Sequence, residues 1–450
     1  VKNSFAGVAF VSLFNFDGNS TVTRIQTIQA REILDSRGIP TLEVDILLMS
    51  GVRARAAVPS GAQGLGQNPC EARDGDPDRF FGMGVRRAVN NVNNIIAPAL
   101  HNQDTEDQSA IDAFLQELDA NEGDDGLGVN ALLGVSLACA RGFSLSSGVP
   151  LYSSITRTDR ATLMPVPMVN ILDGGKHAPN NIDFQEFMII PAGAENFTEA
   201  VRYSAEVFHV LRRVILEKGY HAGVGDQGGF APDLQNHEEA LSLLLKAIEQ
   251  AGYKPGEDIY LALDVAANNL YRDGVYTIAN EGLFNVSSDE VIDFYEMLLD
   301  RYPILSIEDG LAPEDWEGWR KMTDRLGHRL QVVGDWLFHS NPEKLAIGIQ
   351  RKIANSILIK PNEVGTVTQM LQLVEQARNG SFTQILSHRS GDTCDPFLAS
   401  FAVAAGTGMI KPGAMCRSER VAKYNELMRI EAQLGEQARW IGINAFPRGG

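Results

Sequence analysis

A chain of 450 residues with 57 acidic against 39 basic residues carries a net charge of −18. That balance argues against a nucleic-acid partner, which needs a broad basic face, and leaves small anions met by a few local cations. The four cysteines, Cys70, Cys139, Cys394 and Cys416, are far apart and form no C-x-x-C pair; neither a disulfide framework nor a zinc site is expected, and a reducing cytoplasm fits.

In chain order, the start VKNSFAGVAFVSLFNFDGNS has one lysine and a short apolar run from Phe5 to Phe14. It resembles a signal peptide only faintly and lacks a small-residue cleavage site, so residues 1–24 are read as an unprocessed extension. No apolar run of about 18 residues follows, so no membrane span is expected. From Ile25 the stretches TRIQTIQAREILDSRG, TLEVDILLMSG and VRARAAVPSGA read as a meander of strands with Gly and Ser turns. Helical periodicity follows in RRAVNNVNNIIAPAL, IDAFLQELDANE and NALLGVSLACARGFSL. Residues 25–155 therefore form an α+β unit, and ATLMPVPMVN is read as the linker into a second domain spanning 156–450.

Beyond it, short apolar strands recur at MVNILDG, QEFMIIP, YLALDVAA, ILSIEDG, LQVVGDW, SILIKPN, TQILSHRS and GMIKPGA, mostly separated by helical stretches. One such helix, NHEEALSLLLKAIEQAG, opens with Asn236 and Glu239 at capping-box spacing. Strands alternating with helices over about 290 residues predict a (β/α)8-type barrel, an α/β fold. A doubly wound open sheet ranks lower because no G-x-G-x-x-G turn follows a strand.

The strand ends carry the chemistry. Asp264, Glu308, Asp335, Lys360, His388 with Arg389, and Lys411 each end an apolar strand, and a barrel gathers such residues at its C-terminal mouth. Each acid taken singly suits a helix cap, and each lysine a snorkelling surface residue. Three carboxylates without paired Cys or His instead make a hard oxygen site suited to Mg²⁺. A lysine beside a bound dication is expected to have a lowered pKa and to act as a base, removing a proton α to a carboxylate.

The segments SGA at 60–62, HAPNNIDFQEFMIIP, GVGDQGGFAP, LALDVAA, SIEDG, ILIKPNEVGT, SHRSGDT and IKPGAMCRSERVAKYNELMRIEAQL together resemble enolase, the phosphopyruvate hydratase family, from about residue 25 to 445. The resemblance implies roles position by position. Asp264, Glu308 and Asp335 match the Mg²⁺ ligands, Lys360 the base that takes the C2 proton of 2-phosphoglycerate, and Lys411 the lysine that helps hold its carboxylate. Arg389 and Ser390 match the phosphate clamp, while His388, His177 and Glu186 match polar residues that line and close the pocket. His177 as a core histidine and Glu186 as a helix cap are the bland alternatives. A small phosphorylated or phosphonylated three-carbon acid is the implied partner, and a homodimer or larger homo-oligomer the implied assembly.

Three positions depart from the family pattern. Gln227 stands where the family's G-D-E-G-G turn has its general acid, and an amide has no proton to give at neutral pH. Gln63, in SGAQGLGQNP, stands where a loop serine helps bind a second Mg²⁺. Trp336 follows Asp335 where another Asp is common, and is expected to pack beneath the site. Three readings follow: a hydro-lyase in which Glu186 or a water replaces the missing acid; a paralogue for phosphonate biosynthesis, like carboxyphosphonoenolpyruvate synthase; or a non-catalytic barrel.

Overall fold

The computed structural model describes residues 22–61, 71–122, 126–156 and 161–447; Gln63 and most of the N-terminal extension lie outside them. Strands β1 (Ile25–Leu34), β2 (Pro40–Leu48) and β3 (Arg53–Ala57) form an antiparallel meander in the order β1-β2-β3. Alternation in β2 turns Leu42, Val44, Ile46 and Leu48 inward, all at 0–1% exposure, and burying each side chain fully stabilises the fold by about 1.5–3 kcal/mol. They meet the helix Val129–Ser147, where Gly134 lets the backbone come close: a Cβ there would stand 2.7 Å from Val44 Cγ2. That helix is long and apolar enough to cross a bilayer by length and composition, but 72% of its apolar window is buried inside the protein. It is a core helix.

Nine strands form the second sheet. They are β4 (Val166–Pro167), β5 (Val169–Asp173), β6 (Glu186–Ile190) and β7 (Tyr260–Asp264), then, past a separate three-stranded sheet β8 (Tyr271–Arg272), β9 (Val275–Ile278) and β10 (Leu283–Val286), β11 (Ile304–Glu308), β12 (Gln331–Gly334), β13 (Ser356–Ile359), β14 (Thr383–Ser387) and β15 (Gly408–Lys411). The order is β4-β15-β14-β13-β12-β11-β7-β6-β5. Because β4 and β5 are separated only by Met168, one stretch of chain borders β15 on one side and β6 on the other, which closes the barrel. The proline-marked stretch read as a linker thus supplies β4, a correction that its two prolines concealed: Pro167 lies in a two-residue pairing where its missing N–H is tolerated.

The barrel predicted from the strand-helix alternation is present, and one of its strands runs against the others. β6 runs antiparallel to both β5 and β7, while the remaining pairs are parallel. No helix longer than one turn separates β5 from β6; two, Phe197–Glu217 and His237–Gln250, separate β6 from β7. The interior below the mouth is filled by Met168, Met188, Ala262, Val333, Leu358, Ile385 and Met409, each at 0–1% exposure, so the barrel is a packed core with its site at one end. At the helix starting after Asn236, the Asn side chain accepts from Glu239 N at 2.8 Å, but the Glu239 carboxylate turns to Gln235 N instead of closing the box. A complete capping box forms at Ser287 and Glu290.

The two units are joined by buried polar contacts. Asp112 accepts from Ser136 Oγ at 2.6 Å and from Thr368 N at 2.8 Å, and Arg141 pairs with Asp395 at 2.7 Å. These contacts cap a barrel helix with a carboxylate from the smaller domain and fix it against the mouth.

Candidate active site

Strand register explains how distant residues meet. Asp264 pairs with Glu308 across β7 and β11 and with Glu186 across β7 and β6; Ser387 pairs with Lys411 across β14 and β15. Since β6 is antiparallel, its first residue lies at the same end of the barrel as the last residues of the parallel strands. Glu186 therefore reaches the mouth although it begins a strand. His177, Glu186, Gln227, Asp264, Glu308, Asp335, Lys360, His388, Arg389, Ser390 and Lys411 line one cavity, with Gln185, Trp336, Leu358 and Ser387 beside them. Gln63 lies outside the described residues. The free space is about 30 Å³, room for one water. A wider groove of about 600 Å³ beside Asp104–Ser109 is lined by helices and loops away from the strand ends.

Lys411 sits among three carboxylates, its Nζ 2.8 Å from Glu308, 3.0 Å from Asp264 and 3.2 Å from Glu186. Burial alone would lower its pKa, but these partners overcome it and hold the ammonium well above its usual range. For Glu186, burial pulls upward, yet Lys411 and His177 hold the carboxyl down to about 2. Burial, then the neighbouring charges, keep Asp264 and Glu308 raised. One ammonium thus serves three buried acids, and the group is short of positive charge.

Lys360 ion-pairs with Asp335, and Arg389 binds Glu363 at 2.5 Å. Burial lowers the Lys360 pKa, but Asp335 and Glu363 more than compensate and hold it above its ordinary range; the lowering expected beside a bound dication concerns the metal-loaded site. Among the described residues, no three acid, imidazole or thiol groups converge on one point as they stand; Lys411 and Lys360 hold the three predicted ligands instead. The donor set still fits Mg²⁺. Three dry carboxylates with too few cations are hard oxygen donors whose charge a dication would balance.

Trp336 is corrected: it is partly exposed and lines the cavity instead of packing beneath it, its ring centroid 5.6 Å from that of His339. Asp309, buried behind it, accepts from Asp335 N at 2.9 Å and Trp336 N at 3.0 Å and so sets the direction of both side chains. Asp309 was visible in SIEDG, but nothing in the sequence tied it to residues 335 and 336. Arg420 was missed as well. Fully buried, it donates to His388 Nδ1 at 2.6 Å and to the carbonyls of Arg389 and Ser390 at 2.5 and 2.7 Å, holding the SHRS turn in place.

Burial, then Arg420 and Lys411, push the His388 pKa well below its usual value, so the ring is neutral. With Nδ1 accepting from Arg420, its proton lies on Nε2, a buried donor without a protein partner and therefore suited to a ligand oxygen. His177 Nε2 lies 3.1 Å from Ser390 Oγ and 3.2 Å from Gln227 Nε2, and its Nδ1 lies 3.3 Å from Glu186.

Removing Lys411 should leave Glu186, Asp264 and Glu308 uncompensated. Lys411→Ala is expected to lose about 3–5 kcal/mol of stability, the usual cost of breaking a buried ion pair, and to recover much of it on adding Mg²⁺. Thermal unfolding with and without the metal checks this; an unchanged midpoint would mean that the acids are neutral without Lys411.

Two family models match the chain: "Enolase, N-terminal domain" over residues 25–155 and "Enolase, C-terminal TIM barrel domain" over residues 161–448. The second covers the closed barrel and every strand-end residue at its mouth, and together they span nearly all of the described structure. The chain belongs to the enolase family.

Proposed function

We propose that the protein is an Mg²⁺-dependent lyase of the enolase kind, acting on 2-phosphoglycerate and phosphoenolpyruvate or a close three-carbon analogue. The observation that carries this reading is the meeting of Lys360 and Lys411 with Asp264, Glu308 and Asp335 at one barrel mouth. Asp264, Glu308 and Asp335 would hold the ion. Bound Mg²⁺ would supply the positive charge that binds the substrate carboxylate and stabilises the charge developing on it.

The remaining work falls to side chains. With Asp335 engaged by the ion, Lys360 loses the partner that keeps it protonated and its free amine takes the proton from C2, and Lys411 turns from the acids toward the substrate carboxylate. Arg389, Ser390 and the free Nε2–H of His388 hold the phosphate. Gln227 orients the departing hydroxyl by hydrogen bonding; the group leaves as hydroxide and takes its proton from solvent water. While Lys411 stays among the acids, it and His177 keep Glu186 ionised and without a proton to give. With 2-phosphoglycerate and Mg²⁺, ultraviolet absorbance should show phosphoenolpyruvate forming above the level of a Lys360→Ala control; equal traces would rule out this substrate.

A second reading, a paralogue for a phosphonylated acid, is favoured by the placement of Gln227 and Trp336 in one cavity wall. Both changes alter the shape and chemistry of the pocket while the lysines and carboxylates are kept. Turnover of a phosphonate analogue in preference to 2-phosphoglycerate would select it.

A further inference from the structure

Behind Gln227 lies a carboxyl that the proposed reaction does not use. Asp173 ends β5 with 2% exposure, and the glycines of GVGDQGGFAP press directly on it: a Cβ at Gly225 would stand 2.3 Å from Asp173 Oδ2, and one at Gly229 2.9 Å from Oδ1. Asn170 Nδ2 is 2.5 Å from Asp173 Oδ1 and 3.5 Å from Gln227 Oε1, and Gln227 in turn meets His177. Asp173 Oδ2 and Asn170 Oδ1 are buried without a hydrogen-bond partner.

These separations suit another proton arrangement. A spacing of 2.5 Å lies below the N–H···O range but at the short end of the O–H···O range, and a half-turn of an amide exchanges its nitrogen and oxygen. If Asp173 carries a proton, its O–H donates to Asn170 Oδ1. Gln227 Nε2 then donates to that same oxygen, and Gln227 Oε1 faces His177 Nε2–H. If Asp173 is ionised, Asn170 Nδ2 must face it, and Gln227 presents its NH₂ to His177 and the pocket. We propose that Asp173 is a positioning residue that, by gaining or losing one proton, turns the Asn170–Gln227 amide pair and sets which nitrogen of His177 carries its proton.

The neighbours place this switch in the working range. Burial raises the Asp173 carboxyl to about 7; His177 on its own segment lowers it, Glu186 on β6 raises it, and the Asn170 hydrogen bond and then Arg420 on the helix Ser418–Leu434 lower it further, none of them outweighing burial. Cys416 faces it from the C-terminal segment, while the charge of Asp226 in the glycine turn acts on Arg37. Only the ionised form offers an N–H donor to a departing hydroxyl, so turnover should rise with pH through about 7. That consequence for rate rests on the function proposed above; the switch itself does not.

The test follows ¹⁵N shifts of ring-labelled histidine, which report the protonated nitrogen, from pH 5 to 9, with the His177 signal assigned by its loss in His177→Gln. The wild type should show an inflection near 7 that disappears in Asp173→Asn and in Asn170→Ala. Persistence of the inflection in Asp173→Asn would overturn the proposal. Loss in Asp173→Asn but not in Asn170→Ala would overturn the amide route, since a bare charge effect needs no Asn170. A shared inflection without any turnover of 2-phosphoglycerate would leave the switch standing and count against the substrate. Folding of the variant is checked by melting at pH 8. A folded-state carboxyl raised above its unfolded value stabilises below the unfolded pKa and loses that contribution as pH climbs through the folded one, so Asp173→Asn should melt no lower than the wild type there.

Discussion

Lys360→Ala is expected to slow removal of the C2 proton by about 10²- to 10⁴-fold, the usual contribution of a positioned base, as measured by solvent deuterium appearing at C2 of 2-phosphoglycerate. Lys360 directly follows β13, and its backbone N–H donates to Ser340 Oγ at 3.1 Å, so the chain enters the mouth at a fixed angle. Its ammonium is paired with Asp335, and part of any loss in the alanine variant would come from a displaced metal ligand. Lys360→Arg separates the two causes. A guanidinium keeps the ion pair with Asp335 but cannot release its proton, so a missing base predicts that Lys360→Arg is as slow as Lys360→Ala even at saturating Mg²⁺. An arginine variant near wild-type rate would assign Lys360 a structural role.

The second large effect is a gain. Gln227→Glu should speed loss of the C3 hydroxyl by about 10²- to 10⁴-fold while leaving C2 exchange nearly unchanged, because the added carboxyl would act only on the departing oxygen. The surroundings favour a protonated acid at this position. It would be 4% exposed, next to Asn170 and the raised Asp173 carboxyl, and two buried carboxyls in one pocket push one of their pKa values upward. The phosphoenolpyruvate yield from single-turnover samples checks this. No gain would show that the limiting defect lies elsewhere, with Trp336 in the cavity wall the next candidate.

Much of the site was legible because its residues end apolar strands: Asp264 in YLALD, Glu308 in ILSIE and Lys411 in GMIK each follow a run that can only be a buried strand. Glu186 and His177 were not legible in that way. They lie at the start of an antiparallel strand and in the loop before it, and direction is set by pairing partners that periodicity does not report. Pro167 disguised β4 as a linker, and the short strands β8 to β10 alternate too briefly to stand out. Trp336 was misplaced because a tryptophan is usually covered, whereas here Asp309 fixes its backbone so that the ring faces the cavity. Asp173 and Arg420 became meaningful only through neighbours distant in sequence, the glycine turn and the SHRS loop.

The central claim is that this barrel keeps the proton-removing half of an enolase site while its amide at 227 withholds the proton from the leaving group. The most direct test is to follow C2 deuteration and phosphoenolpyruvate formation together by NMR, in D₂O with Mg²⁺, for the wild type and for Gln227→Glu. Deuteration outrunning dehydration in the wild type, with the two rates converging in Gln227→Glu, is the predicted result. Equal rates in the wild type, or no deuteration in either protein, would contradict it.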